Sequence, residues 1–197
     1  MKTGPKGFSD EEKNLLRELL ISNCIASWTK KGYTKTSIAK ITSDAHIATG
    51  SFYLLFDNKE ELFYESFLAI QNTLMHRSNQ ITSTKPNIEG FIELNMMLFE
   101  EYAAKPFLYS FNNHDFELFL SKLEPHQVDI LFESNISSFE ESLRACGLKS
   151  IVSDLFTFDT LNTLLSTIKS GHETTIPKIE IYEILLRSVL PNIINEK

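Results

Sequence analysis

At 197 residues, 42% hydrophobic and 23% charged, the chain has the composition and length of a soluble globular protein that buries its own core, which excludes the disordered and fibrous classes. Two cysteines far apart, Cys24 and Cys146, offer neither a disulfide framework nor a zinc site and read as small buried hydrophobes in a reducing compartment. The net charge of −7 argues against indiscriminate nucleic-acid binding, yet it hides an asymmetry: residues 1–60 hold nine basic and seven acidic side chains, and the remainder ten and nineteen. Along the chain, Ser9 followed by Glu12 forms a capping-box pattern, and Leu15, Leu16, Leu19, Leu20 and Ile25 then recur at helical spacing up to Gly32. Short helices are predicted over 36–45 and 48–55. Asn58 then caps a longer one, to about residue 80, that carries Leu62, Phe63, Phe67, Ile70 and Leu74. The polar stretch 83–87 reads as a linker.

Beyond it a helix is expected over 88–104, ending before Pro106, followed by a Phe-rich, less regular region to about residue 123. Pro125 sits where a first-turn proline belongs and opens a helix that ends near Gly147. Two more helices, 150–170 and 178–194, are separated by Gly171 and Pro177. That makes about nine helices, no internal repeat and almost no strand alternation, so the fold class is all-α. The first twelve residues are polar, and no apolar run approaches the roughly 18 residues of a membrane span. A cytoplasmic protein without a membrane partner is expected.

The segment 32–62, GYTKTSIAKITSDAHIATGSFYLLFDNKEEL, carries the functional signal. Ile38, Ile41, Ala45, Ile47, Phe52 and Phe56 give its two short helices a shared apolar side, which the preceding helix can cover. This is helix-turn-helix logic: the second short helix enters the major groove and the first crosses the backbone. A groove about 12 Å wide demands compact or polar outward residues, and Ala48, Thr49, Gly50 and Ser51 meet that demand. The sequence there holds no Arg, Lys, Asn or Gln for bidentate purine contacts. An operator read partly through A·T-rich positions and DNA shape is therefore expected, with phosphate contacts supplying much of the affinity and Lys2 and Lys6 assisting.

Gly32-Tyr33, Thr36-Ser37, Ile41, Ala45, Ile47, Gly50, Tyr53, Phe56, Lys59 and Leu62 stand in order and without a gap, and over about fifty residues the chain resembles the DNA-binding region of the tetracycline-repressor family. It departs from that pattern at Thr42, usually Ala, and at His46, usually Gly in the turn; histidine is among the residues that more readily tolerate positive φ. Leu55 also departs, since many members place a polar or aromatic residue there. The resemblance implies a helix-turn-helix domain over 1–57, a connecting helix over about 58–80, and a helical effector-binding and dimerisation domain over 58–197. It implies that Thr36 and Ser37 open helix two beside a phosphate, with Thr36 meeting it through N–H and hydroxyl. Tyr53 and Lys59 would reach further phosphates, and Thr49 and Ser51 would meet base edges, with Ala48 and Gly50 allowing close approach.

Eight of fifteen phenylalanines lie between Phe91 and Phe139, and an aromatic cavity in the body is where a small apolar or aromatic effector is expected. Its candidate lining is Phe107, Phe111, His114, Phe116 and Phe119. His114, Asp115, Glu117 and His126 match no metal-ligand spacing, so neither metal nor cofactor is expected. Leu155, Phe158, Leu161, Leu165, Ile181, Leu185 and Val189 offer more apolar surface than one helix pair hides, which suits a four-helix bundle between two copies and a palindromic operator. The expectation is a homodimeric, ligand-responsive transcription regulator, a repressor released by its effector. An architectural DNA binder without a metabolite effector is the alternative. A helical-bundle enzyme finds no catalytic motif to support it.

Overall fold

The computed structural model describes residues 8–105, 114–167 and 173–196. Its helices are α1 (Asp10–Lys31), α2 (Ile38–Asp44), α3 (Thr49–Phe52), α4 (Lys59–Thr84), α5 (Ile88–Ala104), α6 (His114–Leu120), α7 (Pro125–Ala145), α8 (Asp154–Ser166) and α9 (Lys178–Ile193). The caps are those the sequence offers. Ser9 and Glu12 close a reciprocal capping box, and Asn58 Oδ1 accepts from the Glu61 amide at 2.8 Å. Asn87 caps α5, and Pro125 occupies the first turn of α7. Each satisfies or removes an amide that a helix start leaves without a partner. The expected helix over 48–55 is shorter: α3 ends at Phe52, and its chain continues as a turn in which the Leu55 and Phe56 amides both donate to the Phe52 carbonyl.

One feature departs from the expectation of helices alone. Leu148–Ser150 (β1) pairs antiparallel with Ile194–Glu196 (β2), Leu148 opposite Glu196. Gly147, at φ 67°, ends the α7 segment, and Leu148 and Ile194 are both buried. Three residues per strand are too few for alternation to register in the sequence.

The chain divides into two compact units, Met1–Ile70 with Phe107–Leu123, and Gln71–Pro106 with Glu124–Lys197. The first unit is therefore larger than the expected head over 1–57: it takes the start of α4 and also α6. Its core is aromatic and centred on Trp28, whose ring lies 4.7 Å from Phe63, 5.2 Å from Phe119, 6.1 Å from Phe67 and 6.2 Å from Phe116 between centroids. Leu20, Ile41, Phe52, Phe56 and Leu62 complete it. The second unit packs α5, α8, α9 and β1 around Phe91, Phe99, Leu161, Leu165, Leu186 and Leu190, with Tyr182 stacked on Phe99 at 4.5 Å. No helix among the described residues is long and apolar enough to cross a membrane.

Candidate nucleic-acid interface

α2 and α3 are too short to persist alone, since a first helical turn is costly to nucleate, so their geometry comes from what holds them. Ser37 caps α2, accepting from the Lys40 amide at 3.3 Å. The turn to α3 runs through His46, the only non-glycine residue at positive φ among those described, at 56°. The histidine thus adopts the conformation usually given to glycine, and the Ile47 amide closes the turn on the Thr42 carbonyl at 3.0 Å. Ile41, Ala45 and Phe52 are buried beneath. On the outer side Ala48, Thr49 and Gly50 are exposed, and Tyr53 is 59% exposed. A Cβ placed on Gly50 would meet nothing within 4 Å, so nothing inside the chain requires glycine there. Lys30, Lys31 and Lys35 are exposed as well.

Two residues expected at phosphates are engaged inward. Thr36 is buried, and its hydroxyl donates to the Gly32 carbonyl at 2.8 Å and lies 3.2 Å from Ser27 Oγ. Its side chain fastens the α1–α2 turn and does not face solvent. The Lys59 ammonium donates to the Tyr33 carbonyl at 2.8 Å and lies 3.9 Å above the Tyr33 ring, and burial lowers its pKa. The Leu55 departure has a structural reason too: Leu55 is a core residue, and its neighbour Leu54 is the one 65% exposed.

Sequence reasoning missed three residues that hold this frame. The Asp115 carboxylate on α6 accepts from the amides of Tyr33, in a very short contact, and of Thr34, at 2.8 Å. Burial alone would raise the Asp115 pKa, but the Thr34 and Tyr33 hydrogen bonds and the nearby Lys59 charge outweigh it and hold the carboxyl below its ordinary value. Gly32, at φ 78°, is needed beneath it, because a Cβ there would collide with that carboxylate. Arg17 on α1 donates to the Leu55 carbonyl and to Glu65, with its guanidinium 4.2 Å from the Phe56 ring centre, and so fixes the turn leaving α3. Thr42, at the position usually given to alanine, is buried and lies 3.3 Å from the Thr49 hydroxyl. Arg17 and Asp115 have no local signal, since partners 38 and 81 residues away leave no spacing to read.

Residues 21–65 match the family described as bacterial regulatory proteins, tetR family, and these are the residues that build this surface. Over these residues, the helix-turn-helix segment, the chain is similar to the regulators of that family. The fold of the chain is similar to that of several solved transcription regulators. The ketosteroid transcriptional regulator KstR2 of Mycobacterium tuberculosis is 19% identical, with 96% of this chain and 98% of that one covered and a TM-score of 0.58. SmeT, the repressor of the Stenotrophomonas maltophilia multidrug efflux pump SmeDEF, is 16% identical over 91% and 90% of the two chains, with a TM-score of 0.63. The regulator FadR of Bacillus subtilis, in complex with stearoyl-CoA, is 14% identical over 86% and 95%, with a TM-score of 0.60. No curated protein matches the sequence.

The described part of the expected effector lining is divided between surface and core. Phe107 and Phe111 lie outside the described residues, and His114 is exposed. Phe116 and Phe119 are fully buried against Trp28, because α6 belongs to the aromatic core of the first unit. The expected dimer residues divide as well. Leu155 and Leu185 are exposed, whereas Phe158, Ile181 and Val189 are partly buried. Leu161 and Leu165 belong to the core of the second unit, since Thr157, Leu161 and Leu165 recur at four-residue spacing on the inward face of α8. The outward faces of α8 and α9 present Phe156 and Ile184 instead, 57% and 66% exposed.

Proposed function

We propose that the chain acts as a homodimeric, operator-specific repressor whose α3 lies in the major groove and which a small effector releases. The observation that carries the reading is the outer face of α3: Ala48, Thr49 and Gly50 stand exposed and free of bulk, next to an exposed Tyr53. Such a face lets a short helix approach base edges, while the Tyr53 hydroxyl and the exposed Ser37 at the start of α2 reach phosphates on either side. Ser51, partly buried, stands behind this face. The side chains of Thr36 and Lys59 are engaged inside the chain, and the Thr36 amide donates to the Tyr33 carbonyl at 3.2 Å, so Ser37 and Tyr53 carry the phosphate contacts of this reading.

Dimerisation is supported by the apolar outward faces of α8 and α9, where Leu155, Phe156, Ile184 and Leu185 would be left in water by a single copy. A two-fold pair of heads reads a palindrome at a spacing set by the helical repeat. An apolar effector carrying a polar group suits the second unit. There the Tyr182 hydroxyl is buried beside Phe99 without a hydrogen-bond partner, a state that costs about 1–3 kcal/mol unless something completes it. Stearoyl-CoA on the Bacillus subtilis relative is a ligand of that general kind. The effector releases DNA by binding more tightly to a conformation whose heads no longer match both half-sites.

The test is selection from a randomised duplex pool by the wild-type protein, followed by titration of the enriched duplex. A palindrome is expected, with Tyr53→Phe weakening all sequences alike by roughly tenfold, as loss of one charge-assisted phosphate bond requires. Binding without enrichment would make the protein an architectural DNA binder instead.

A further inference from the structure

The geometry points to Thr42 as the residue that sets which bases Thr49 accepts: it holds the Thr49 proton inward, so that the recognition helix shows DNA an acceptor-only hydroxyl. This rests on the reading that α3 enters the major groove. The observation is a pair of hydroxyls at the α2–α3 junction, one buried and one exposed. Thr42 is buried on α2, and its Oγ1 lies 3.0 Å from the Ile38 carbonyl oxygen, 3.2 Å from the Ala39 carbonyl oxygen and 3.3 Å from Thr49 Oγ1. Thr49 is the first residue of α3 and is exposed.

A threonine hydroxyl has one proton to give and two lone pairs to accept with. Carbonyl oxygens only accept. The Thr42 proton is therefore claimed by the carbonyls of its own helix, the back-bonding that threonines inside helices favour. Were it turned to Thr49 instead, two oxygen pairs at 3.0 and 3.2 Å would face each other without a proton between them. The contact at 3.3 Å then has a single sense: Thr49 donates and Thr42 accepts. With alanine at position 42 no acceptor would exist there, and the Thr49 hydroxyl would rotate freely between donor and acceptor roles.

The consequence for DNA follows from the edges of the bases. In the major groove guanine presents two acceptors, N7 and O6; adenine presents the N6 amino donor beside N7, and cytosine presents the N4 amino donor. A free threonine hydroxyl pairs with any of these. One whose proton is held inward pairs with adenine N6 or cytosine N4 and meets guanine with lone pair against lone pair. Each half-site thus carries adenine or cytosine, and not guanine, at the base facing Thr49. The broad preference for A·T expected from composition becomes a rule for one position that also admits C·G in one orientation. Gly50 alongside adds no atom to this contact, and its open surroundings let the base edge come close.

The experiment compares the base preferences of the full-length protein with those of Thr42→Val, Thr42→Ser and Thr49→Val, each selected from the same randomised duplex pool. Thr42→Val keeps the shape and removes the acceptor; Thr42→Ser keeps the acceptor. In the wild type, one position of each half-site should favour adenine or cytosine over guanine by about tenfold, within the range of one base contact. Thr49→Val should erase that preference and so identify the position. Thr42→Val should reduce it to about twofold or less by freeing the Thr49 proton, and Thr42→Ser should retain it. A palindrome with guanine at the Thr49-dependent position overturns the proposal without affecting the operator reading, as does one with the same preference in Thr42→Val as in the wild type. Should Thr42→Val fail to fold, the identity of the base lost in Thr49→Val decides alone. No enriched palindrome at all overturns the operator reading and this proposal together.

Discussion

The two units of the chain are held by different means. In the first, polar side chains reach across the sequence to backbone groups: Arg17 to the Leu55 carbonyl, Asp115 to the Tyr33 and Thr34 amides, and Lys59 to the Tyr33 carbonyl. In the second, most side-chain hydroxyls return to their own helix, as Ser142 does to Ser138, Thr157 to Ser153, Thr163 to Asp159 and Ser188 to Ile184. Cohesion there comes from aliphatic and aromatic burial around Tyr182, Leu186 and Leu190. The difference follows from helix length. Burial is non-directional, and it can fix long helices such as α7 and α9 through many contacts. A seven-residue α2 and a four-residue α3 bury too little for that, so directional bonds at the turns must set the angle at which they meet DNA.

The largest expected effect tests the one part of the head that does rely on burial. Phe119→Ala removes the ring lying on Trp28, Tyr33 and Phe63 and should cost about 3–5 kcal/mol, read as a fall in the urea midpoint at constant slope. Although the residue comes from α6, DNA binding should fall with stability, because the helix belongs to the head. Unimpaired folding, or a drop in effector response alone, would return Phe119 to the role of pocket lining.

A smaller effect tests the directional bonds. Asp115→Ala should cost about 2 kcal/mol, the usual worth of hydrogen bonds to a charged group. The sign with pH is fixed by the lowered pKa of Asp115 in the folded state. Its contribution is whole above the ordinary carboxylate value of about 4 and is lost as pH falls through the lower folded one. Thermal melts of wild type and variant should therefore differ most at pH 7 and converge toward pH 3; a constant gap would remove the charge from the account.

How much of this could be read from the sequence follows the same division. The helix-turn-helix was legible because its signals are local: caps at Ser9 and Ser37, the shared apolar side of Ile41, Ala45 and Phe52, and a turn residue, His46, able to take positive φ. The body was legible as a set of helices, since periodicity survives there, but periodicity does not say which of two apolar faces turns inward. α8 carries Leu155 and Phe156 on one side and Leu161 and Leu165 on the other, so residues expected at a dimer interface turn out to be core. The aromatic cluster around residue 116 was ambiguous for a related reason: a core and a ligand cavity use the same side chains, and Phe116 lies against Trp28 in the core of the first unit. Asp115 matched no motif because the amides it serves lie far back in the chain.

The smallest expected effect concerns Lys59, where family resemblance and geometry give opposite outcomes. A lysine at a phosphate releases about one counterion on binding, so its loss should lower the slope of log K against log salt by about one and weaken every sequence alike. In the structure its ammonium is spent on the Tyr33 carbonyl and on the faces of Tyr33 and Phe63. Lys59→Met keeps the apolar stem over those rings and removes one hydrogen bond, which costs about 1 kcal/mol of stability. Its salt slope on the operator should match the wild type, with affinity changed by less than about threefold, because the charge faces the α1–α2 turn. A slope reduced by one would mean that DNA draws the side chain out of this site. The Tyr33 carbonyl would then lose its partner in the bound state, so the directional bonds that set the head would have to be exchanged on binding instead of standing ready beforehand.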